Sequence, residues 1–357
     1  MSGVDEASSL GHVTNPKVLA GWYVVCRSAD LRRGPMTTML HDVPLVLFRT
    51  SSGAPTALLD RCAHRNVPLS QGRIVESTIE CGYHGWRYDA GGVCQVVPGL
   101  CGESQAKARR VLAYHTRDTQ GFIWVYGQAR DEVEKALLPD PPVLKHVGDR
   151  QYRTFNYSAD FEATLHATAE NILDVPHTAF LHRGLFRRST QQVIRARVRR
   201  FDNTVETEFF GESRPTGLMG RLLAPGGGEI RHIDRFVLPS LAQVEYALGN
   251  SHLVIHNLLT PISEFKTRLF TVVCLRWRGP AQAVMRLLKP LALKVVAQDA
   301  AMLAHQTANI RRFGREQFVS TPIDVMGPHI LRLLRRAERG ESPVSSEVVS
   351  EELELRV

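Results

Sequence analysis

Apolar segments of five or six residues, bounded by glycine, proline or polar positions, recur through the first 130 residues. Residues 44–48, 56–60 and 121–126 are three of them, with the sequences PLVLF, TALLD and GFIWVY. Short runs rich in branched and aromatic side chains predict strands rather than helices. We therefore expect residues 1–138 to form a small antiparallel β domain.

The pattern changes after residues 139–150, where Pro139, Pro141 and Pro142 indicate a linker. Residues 193–211 and 230–275 alternate apolar and polar positions, which is typical of a large antiparallel sheet. We expect these strands to belong to a second domain that spans 151–340.

Helical spacing accompanies the alternating segments of this second domain. Residues 159–182 are predicted to be helical with breaks, and residues 281–313 to form one long helix that is kinked at Pro290. The fold class expected for the whole chain is therefore α+β. The acidic segment 341–357 is expected to be a loose tail.

Four residues carry the most specific chemical signal. Cys62 and His64 form a Cys-x-His pair, and Cys81 and His84 form a Cys-x-x-His pair after sixteen intervening residues. Two thiolates and two imidazoles suit a [2Fe–2S] cluster in which the cysteines hold one iron and the histidines the other. Neutral imidazole makes such a cluster easier to reduce, at roughly −150 to +300 mV against about −400 mV for plant-type ferredoxins. A structural zinc site is the alternative, although Cys-x-His is an unusual zinc spacing.

Gly82 and Gly85 flank the second ligand pair, where the backbone must bend around a cluster. Together with these glycines, the four-residue motif closely resembles the Rieske domain of the Rieske non-haem iron oxygenases. The chain resembles the single-polypeptide bacterial monooxygenases and demethylases of that family. That family usually has proline where this chain has Gly82. Respiratory-type Rieske proteins have two further cysteines where this chain has Val67 and Tyr83, so the resemblance is to the oxygenase branch.

A second candidate metal site lies further along the chain. His177 and His182 are five residues apart, and Pro176 favours an irregular backbone that lets both face one ion. Two histidines and a carboxylate with open positions form the facial triad of O₂-activating ferrous enzymes. Asp299 is the best candidate carboxylate, because a charge in an apolar helical segment is costly unless it is paired or metal-bound. Asp324 is a weaker candidate.

The resemblance implies roles for these residues. His177 and His182 match the catalytic-iron motif of the family, whose third ligand lies in a C-terminal helix in a context like that of Asp299. The family's aspartate at the position of Asp174 bridges the Rieske histidine of one subunit to an iron ligand of the next. A path from His84 through Asp174 to His177 of a neighbouring chain is implied, and with it a closed ring, most simply a homotrimer. The second domain resembles a helix-grip (START-like) fold, in which a curved sheet wraps around a long helix.

Composition adds limits of a general kind. The formal net charge is +8, which would suit nucleic acid, but no nucleic-acid motif accompanies the basic residues. A basic surface would also attract an acidic ferredoxin or flavoprotein. We expect no transmembrane helix, since no 18-residue apolar run occurs, and no signal peptide, since the first residues are polar. The scattered cysteines show no disulfide pattern, so a cytoplasmic location is expected.

The resemblance implies an enzyme, the terminal oxygenase (alpha-type) component of a Rieske system. A separate NAD(P)H-dependent reductase or ferredoxin would reduce the cluster, and a mononuclear Fe(II) would activate O₂. An apolar aromatic or alicyclic, sterol-like substrate would then be hydroxylated, demethylated or desaturated. The alternative is a Rieske electron carrier with a lipid-binding domain and no second iron. A carrier has no need of Asp299, His177 and His182 as a set, so that set separates the two hypotheses.

Overall fold

The computed structural model describes residues 15–32, 34–135, 138–182, 193–212, 230–249, 251–277, 281–341 and 349–356. The chain divides into two compact units at Val143 and Leu144. Leu19–Val143 forms the smaller unit, and Leu144–Val357 forms the larger one together with the segment before Leu19. The point of division falls inside the stretch that the prolines indicate as a linker.

The smaller unit is built from short antiparallel strands. Their bounds are β1 Trp22–Arg27, β2 Met36–Leu40, β3 Val43–Arg49, β4 Pro55–Leu59, β5 Arg73–Val75, β6 Thr78–Glu80, β7 Arg87–Tyr88, β8 Cys94–Val96, β9 Ala113–Thr119 and β10 Phe122–Ala129. One sheet has the order β1-β10-β9-β4-β3-β2, and a second, smaller sheet has the order β5-β6-β7-β8. The antiparallel β architecture expected from the apolar segments is confirmed, because β3, β4 and β10 coincide with the three segments.

The larger unit combines one sheet with three described helices. Its elements are β11 Arg153–Phe161, α1 Leu165–Leu173, β12 Val193–Phe201, β13 Thr204–Phe210, β14 Ile230–Val237, β15 Leu241–Leu248, β16 Ser251–Ser263, β17 Lys266–Arg276, α2 Ala281–Phe313, α3 Gly327–Glu338 and β18 Val349–Arg356. The sheet is antiparallel, in the order β11-β17-β16-β15-β14-β13-β12-β18. The long helix was predicted with the bounds that α2 has, and α2 continues through Pro290. The expected α+β class is confirmed.

The helical prediction for residues 159–182 was only partly right. Its first residues belong to β11, in which exposed and half-buried positions alternate and which pairs with β17 along its whole length. Only Leu165–Leu173 is α-helical, and a single 3₁₀ turn follows at Pro176–Ala179. Pairing with a long neighbouring strand outweighs the weak helical spacing of these residues.

The expectation of a loose tail at 341–357 was wrong for its last part. β18 completes the edge of the large sheet by pairing with β12. Acidic and apolar residues alternate in β18, and Glu352 Oε1 accepts hydrogen bonds from Arg197 of β12 at 2.7 and 2.9 Å. Leu355 lies on the other face and is buried. Of the acidic residues that suggested solvation, Glu352 therefore pairs with Arg197 across the strands, and Glu354 lies opposite Arg195.

No helix in the described part of the chain has the length and apolar character needed to cross a membrane.

Glu245 of β15 provides a test of how this sheet is stabilised. Its carboxylate accepts hydrogen bonds from His252 Nε2 at 3.0 Å and Arg235 Nη1 at 2.5 Å, and these partners lower the pKa of Glu245 to about 2, although burial opposes them. A pKa lowered by folding stabilises the protein above the unfolded-state pKa, and the stabilisation is lost as pH falls towards 2. We expect Glu245→Gln to lower the free energy of unfolding by about 1–3 kcal/mol at neutral pH.

Urea denaturation followed by circular dichroism measures this effect. The difference between parent and variant should shrink as pH is lowered from 6 towards 3, because Glu245 of the unfolded parent takes up a proton in this range while the folded protein, with its lower pKa, still keeps the carboxylate ionised. Glu352→Gln is the matched control, since its ion pair with Arg197 is exposed and is expected to contribute little. A difference for Glu245→Gln that is constant over this pH range would contradict the assignment.

Candidate metal centres

Asp174 ends α1 and shapes the backbone that follows. The helix begins after Thr164, whose hydroxyl oxygen accepts a hydrogen bond from the Ala167 N–H. It ends at Leu173, because Asp174 is extended (φ −89°, ψ 115°). The Asp174 Oδ2 atom then accepts a hydrogen bond from the His177 backbone N–H at 3.1 Å, which caps the 3₁₀ turn that starts at Pro176.

The change from helix to turn brings two histidines together with an aspartate of α2. The ring centroids of His177 and His182 lie 5.2 Å apart. Asp299 Oδ1 lies 3.0 Å from Nε2 of His182 and 3.6 Å from Nε2 of His177. One possible ligand atom from each of the three residues falls within 4.8 Å of the other two. The structure therefore assembles the two-histidine, one-carboxylate set that the sequence analysis selected, whereas Asp324 binds Thr321 through its carboxylate.

Two further side chains orient the imidazoles. Asp174 Oδ2 lies 3.1 Å from Nδ1 of His177, and Gln298 Oε1 lies 3.1 Å from Nδ1 of His182. Both partners are acceptors, so each Nδ1 carries a proton, and each Nε2 faces Asp299 and would bind a metal after losing its own proton. Asp174 thus contacts His177 in the same chain, as a carboxylate that supports a ligand would.

The electrostatics of the three residues also suit a cation. Burial would lower the pKa of His177, but Asp174 and Asp299 outweigh it and raise the pKa to about 9. Burial opposes ionisation of Asp299, whereas the hydrogen bonds from His177 and His182 hold its pKa below the usual range. Two nitrogen donors and one carboxylate oxygen match the ligand preference of ferrous iron, so the residues present fit a mononuclear Fe(II).

The four cluster ligands predicted from the sequence lie on two tight loops of the smaller unit. Cys62 and His64 lie between β4 and β5, and Cys81 and His84 lie between β6 and β7. The loops have matching hydrogen bonds, from the Asn66 N–H to the Cys62 carbonyl at 2.9 Å and from the Gly85 N–H to the Cys81 carbonyl at 3.0 Å. Gly85 has φ +71°, a conformation that favours glycine.

Buried sulfur and adjacent imidazoles meet where these loops converge. Cys62 and Cys81 are 1% and 2% exposed, and the rings of His64 and His84 lie 4.5 Å apart. Nδ1 of His64 is buried without a hydrogen-bond partner in the described structure, as a nitrogen that binds iron would be. Burial raises the pKa of the Cys81 thiol, and a bound iron would remove that proton. The four residues therefore fit a [2Fe–2S] cluster with unequal irons.

Tyr88 is a functional candidate that sequence reasoning missed. Its hydroxyl oxygen lies 3.3 Å from Cys62 Sγ and accepts a hydrogen bond from the Ala63 N–H at 3.2 Å. Because that oxygen accepts from Ala63, its own proton is free to point at the sulfur. The spacing of Tyr88 from Cys81 in the sequence does not indicate a contact with Cys62, because that contact depends on how β7 passes behind the loop that carries Cys62.

We expect Tyr88→Phe to lower the reduction potential of the cluster by tens of millivolts while leaving the cluster assembled. A hydrogen bond to a ligand sulfur withdraws electron density and so stabilises the reduced state. Redox titration followed by visible absorbance measures the shift. Tyr114→Phe is the matched control, because Tyr114 is also buried in the smaller unit and belongs to β9, away from the two loops. An unchanged potential in the Tyr88 variant would contradict the role given to this hydroxyl.

A cavity of about 240 Å³ opens beside the three residues of the larger unit. Its walls are mainly apolar, from β15, β16 and α2, and they include Asp174, His177 and Asp299. Glu212, His232 and Asp234 also line it and were not selected from the sequence. His232 and Asp234 are two residues apart, which places both on one face of β14. This spacing was the only sequence pattern that could have indicated that they act together.

Two family models match the chain. Residues 21–106 match the Rieske [2Fe–2S] domain, and residues 161–340, about half of the chain, match the vanillate O-demethylase oxygenase C-terminal domain.

Known proteins are similar to this chain in sequence over different lengths and in fold. The oxygenase component of dicamba O-demethylase from Stenotrophomonas maltophilia is 30% identical over 166 residues, which span 46% of this chain and 47% of that protein. The vanillate O-demethylase oxygenase subunit of a Pseudomonas strain is 22% identical over 343 residues, which span 88% and 93%. A crystal structure of dicamba monooxygenase bound to dicamba has the same fold, with a TM-score of 0.75, 22% identity and coverage of 91% of this chain and 98% of the other. The chain therefore belongs to the Rieske oxygenases that pair a Rieske [2Fe–2S] domain with a catalytic domain of the vanillate O-demethylase type.

Proposed function

We propose that this protein is the terminal oxygenase component of a Rieske system and oxidises a small organic molecule with O₂. The observation that carries the proposal is the convergence of His177, His182 and Asp299 at the end of an apolar cavity. The proposed iron ligands are these three residues, and the proposed cluster ligands are Cys62, His64, Cys81 and His84.

When bound, the cluster would supply single electrons and the ferrous ion would supply the place where O₂ is activated. The chain's own residues prepare that place. Asp174 and Gln298 hold protons at Nδ1 of His177 and His182, which fixes both rings with Nε2 turned towards Asp299. The apolar wall of β15, β16 and α2 would keep water away from the oxidant and hold the substrate.

Electrons would come from a separate NAD(P)H-dependent reductase or ferredoxin, for which a net charge of +8 offers electrostatic attraction to an acidic donor. Within the oxygenase we propose transfer from His84 of one chain through Asp174 to His177 of its neighbour. Such a path requires a closed ring, most simply a homotrimer. A cytoplasmic location is part of the same proposal, since the four cysteines other than Cys62 and Cys81 form no disulfide, which suits a reducing compartment.

The substrate is proposed to be an aromatic or alicyclic molecule with an apolar body, because apolar side chains dominate the cavity walls. The relatives named above are O-demethylases of dicamba and vanillate. Demethylation is therefore one candidate reaction for this chain, beside hydroxylation and desaturation.

A substrate screen coupled to O₂ consumption tests the function. The purified full chain, a surrogate reductase and NADH are mixed with a library of ring compounds, and O₂ uptake and oxidised products are measured. Substrate-dependent uptake with matching product is expected. A Rieske electron carrier would oxidise the reductase without forming product from any compound, and that outcome would contradict an oxygenase.

A further inference from the structure

We propose that Glu212, His232 and Asp234 select a substrate that carries a protonated amine and disfavour carboxylates. This inference rests on the proposed function, because it concerns the cavity in which the substrate would be oxidised. Glu212, His232 and Asp234 line the same cavity as His177, His182 and Asp299. The polar group of a substrate would therefore meet them while its apolar body lies against the cavity walls.

His232 is fixed rigidly in the sheet. It lies on β14 directly opposite Phe209 of β13 and Tyr246 of β15. Both aromatic rings stack on the imidazole, with centroid distances of 4.7 and 4.1 Å and interplanar angles of 26° and 19°. Only 1% of His232 is exposed, so the ring cannot turn to suit different ligands.

Both ring nitrogens of His232 face carboxylates. Nε2 lies 3.0 Å from Asp234 Oδ1, and Nδ1 lies 3.3 Å from Glu212 Oε2. Although burial would lower the pKa of His232, the two carboxylates raise it to about 9. The Nε2–H group is hydrogen-bonded to Asp234, and Nδ1 is buried facing Glu212, so neither N–H group is offered to an anionic ligand in the cavity.

The charge balance of the three groups favours a cation. With both carboxylates ionised, the three groups carry a net charge of −1. Burial raises the pKa of Asp234 although His232 opposes it, and protonation of Asp234 would bring the net charge only to zero, never to a positive value. A carboxylate has about four acceptor positions, and the contact with His232 uses one of those of Asp234. A ligand N–H can use another, whereas a ligand carboxylate would meet like charge in a desolvated cavity.

This preference is opposite to that expected for vanillate, which is itself a carboxylate and is the substrate named for one relative of the chain. A charge-assisted hydrogen bond contributes about 1.5–3 kcal/mol, which corresponds to a preference of about tenfold or more. We therefore expect this protein to bind an amine at least about tenfold more tightly than a carboxylate built on the same ring.

Equilibrium binding of matched compounds tests the inference. The full chain with its cluster and iron is titrated calorimetrically, at neutral pH and without reductase, with several sets of three compounds that share one ring. Each set contains an aminomethyl, a methyl and a carboxylate derivative, for example 4-methoxybenzylamine, 4-methoxytoluene and 4-methoxybenzoate. The amine should bind best in every set that binds. A carboxylate that binds as tightly as its amine, or failure of every amine to bind, would overturn the inference.

Asp234→Asn links the preference to its residue. The amide keeps an acceptor oxygen for His232 but removes the charge, so the advantage of the amine over the methyl compound should fall about tenfold. Glu208→Gln is the matched control, since Glu208 lies on β13 of the same sheet, pairs with Arg231 and does not line the cavity. An unchanged amine advantage in a folded Asp234→Asn protein would also overturn the inference. If that variant fails to fold, the compound series on the parent protein decides alone.

Failure of this inference and failure of the proposed function have different signatures. Binding needs neither reductase nor O₂, so the preference for amines over carboxylates can be measured even with a preparation that oxidises no substrate. Conversely, a carboxylate that binds as tightly as its matched amine and is oxidised with O₂ would disprove the amine preference and leave the oxygenase function standing.

Discussion

Asp299→Ala is expected to abolish binding of the mononuclear iron while leaving the Rieske cluster intact. Asp299 is the one carboxylate in the group formed with His177 and His182, and its Oδ1 atom lies within 3.6 Å of both Nε2 atoms. Two imidazoles alone leave the ion with one protein ligand too few for a facial triad. Substrate oxidation should fall at least about a hundredfold, although the reductase should still reduce the cluster.

Iron analysis, visible absorbance and product formation are measured together for this variant. Asp324→Ala is the matched control, because Asp324 is a carboxylate of the same unit whose contacts are with Thr321. The control should keep its iron and most of its activity. If Asp299→Ala retains the full iron content and Asp324→Ala loses it, the third ligand has been assigned wrongly.

Asp174→Asn is expected to keep both metal centres and to slow electron transfer between them by at least about a hundredfold. Asparagine can still accept a hydrogen bond from the His177 backbone, so the 3₁₀ turn should persist. It lacks the negative charge that holds the proton at Nδ1 of His177 and that would attract a donating imidazole of a neighbouring chain.

Stopped-flow absorbance resolves this effect. The cluster is reduced without O₂, substrate and O₂ are added, and the rate of cluster reoxidation is recorded. Asp160→Asn is a suitable control, since Asp160 lies on β11, pairs with Arg268 and does not line the cavity. Reoxidation of the Asp174 variant at the parent rate would rule out the proposed path, and so would full activity in a monomer.

Local patterns in the sequence were sufficient to predict those features that depend on residues close together in the chain. The cysteine and histidine pairs predicted the two loops, and the apolar runs predicted β3, β4 and β10. Asp299 could be predicted from the sequence for a different reason, because an acidic residue within an apolar helical segment needs a partner or a metal. The structure places it beside the two histidines that the proline-interrupted motif had indicated.

Features that depend on contacts between segments far apart in the chain could not be predicted from the sequence in this way. β18 was expected to be loose because its glutamates suggest solvation, yet Glu352 and Glu354 lie opposite Arg197 and Arg195 of β12. The Glu212 contact with His232 joins the segment after β13 to β14, and the Tyr88 contact with Cys62 joins β7 to the loop after β4. Such contacts follow from strand order and register, which the spacing of residues within one segment does not specify.

Metal analysis combined with electron paramagnetic resonance tests the central proposal most directly. The full chain is purified without O₂, supplied with ferrous iron and freed of excess metal, beside a His177→Ala variant treated identically. The parent should contain about three iron atoms and two sulfides per chain. Its reduced form should give a Rieske signal, and the variant should lose one iron while keeping that signal. A parent with a Rieske signal but only two irons, or with zinc in place of the cluster, would contradict a Rieske oxygenase with a mononuclear iron site.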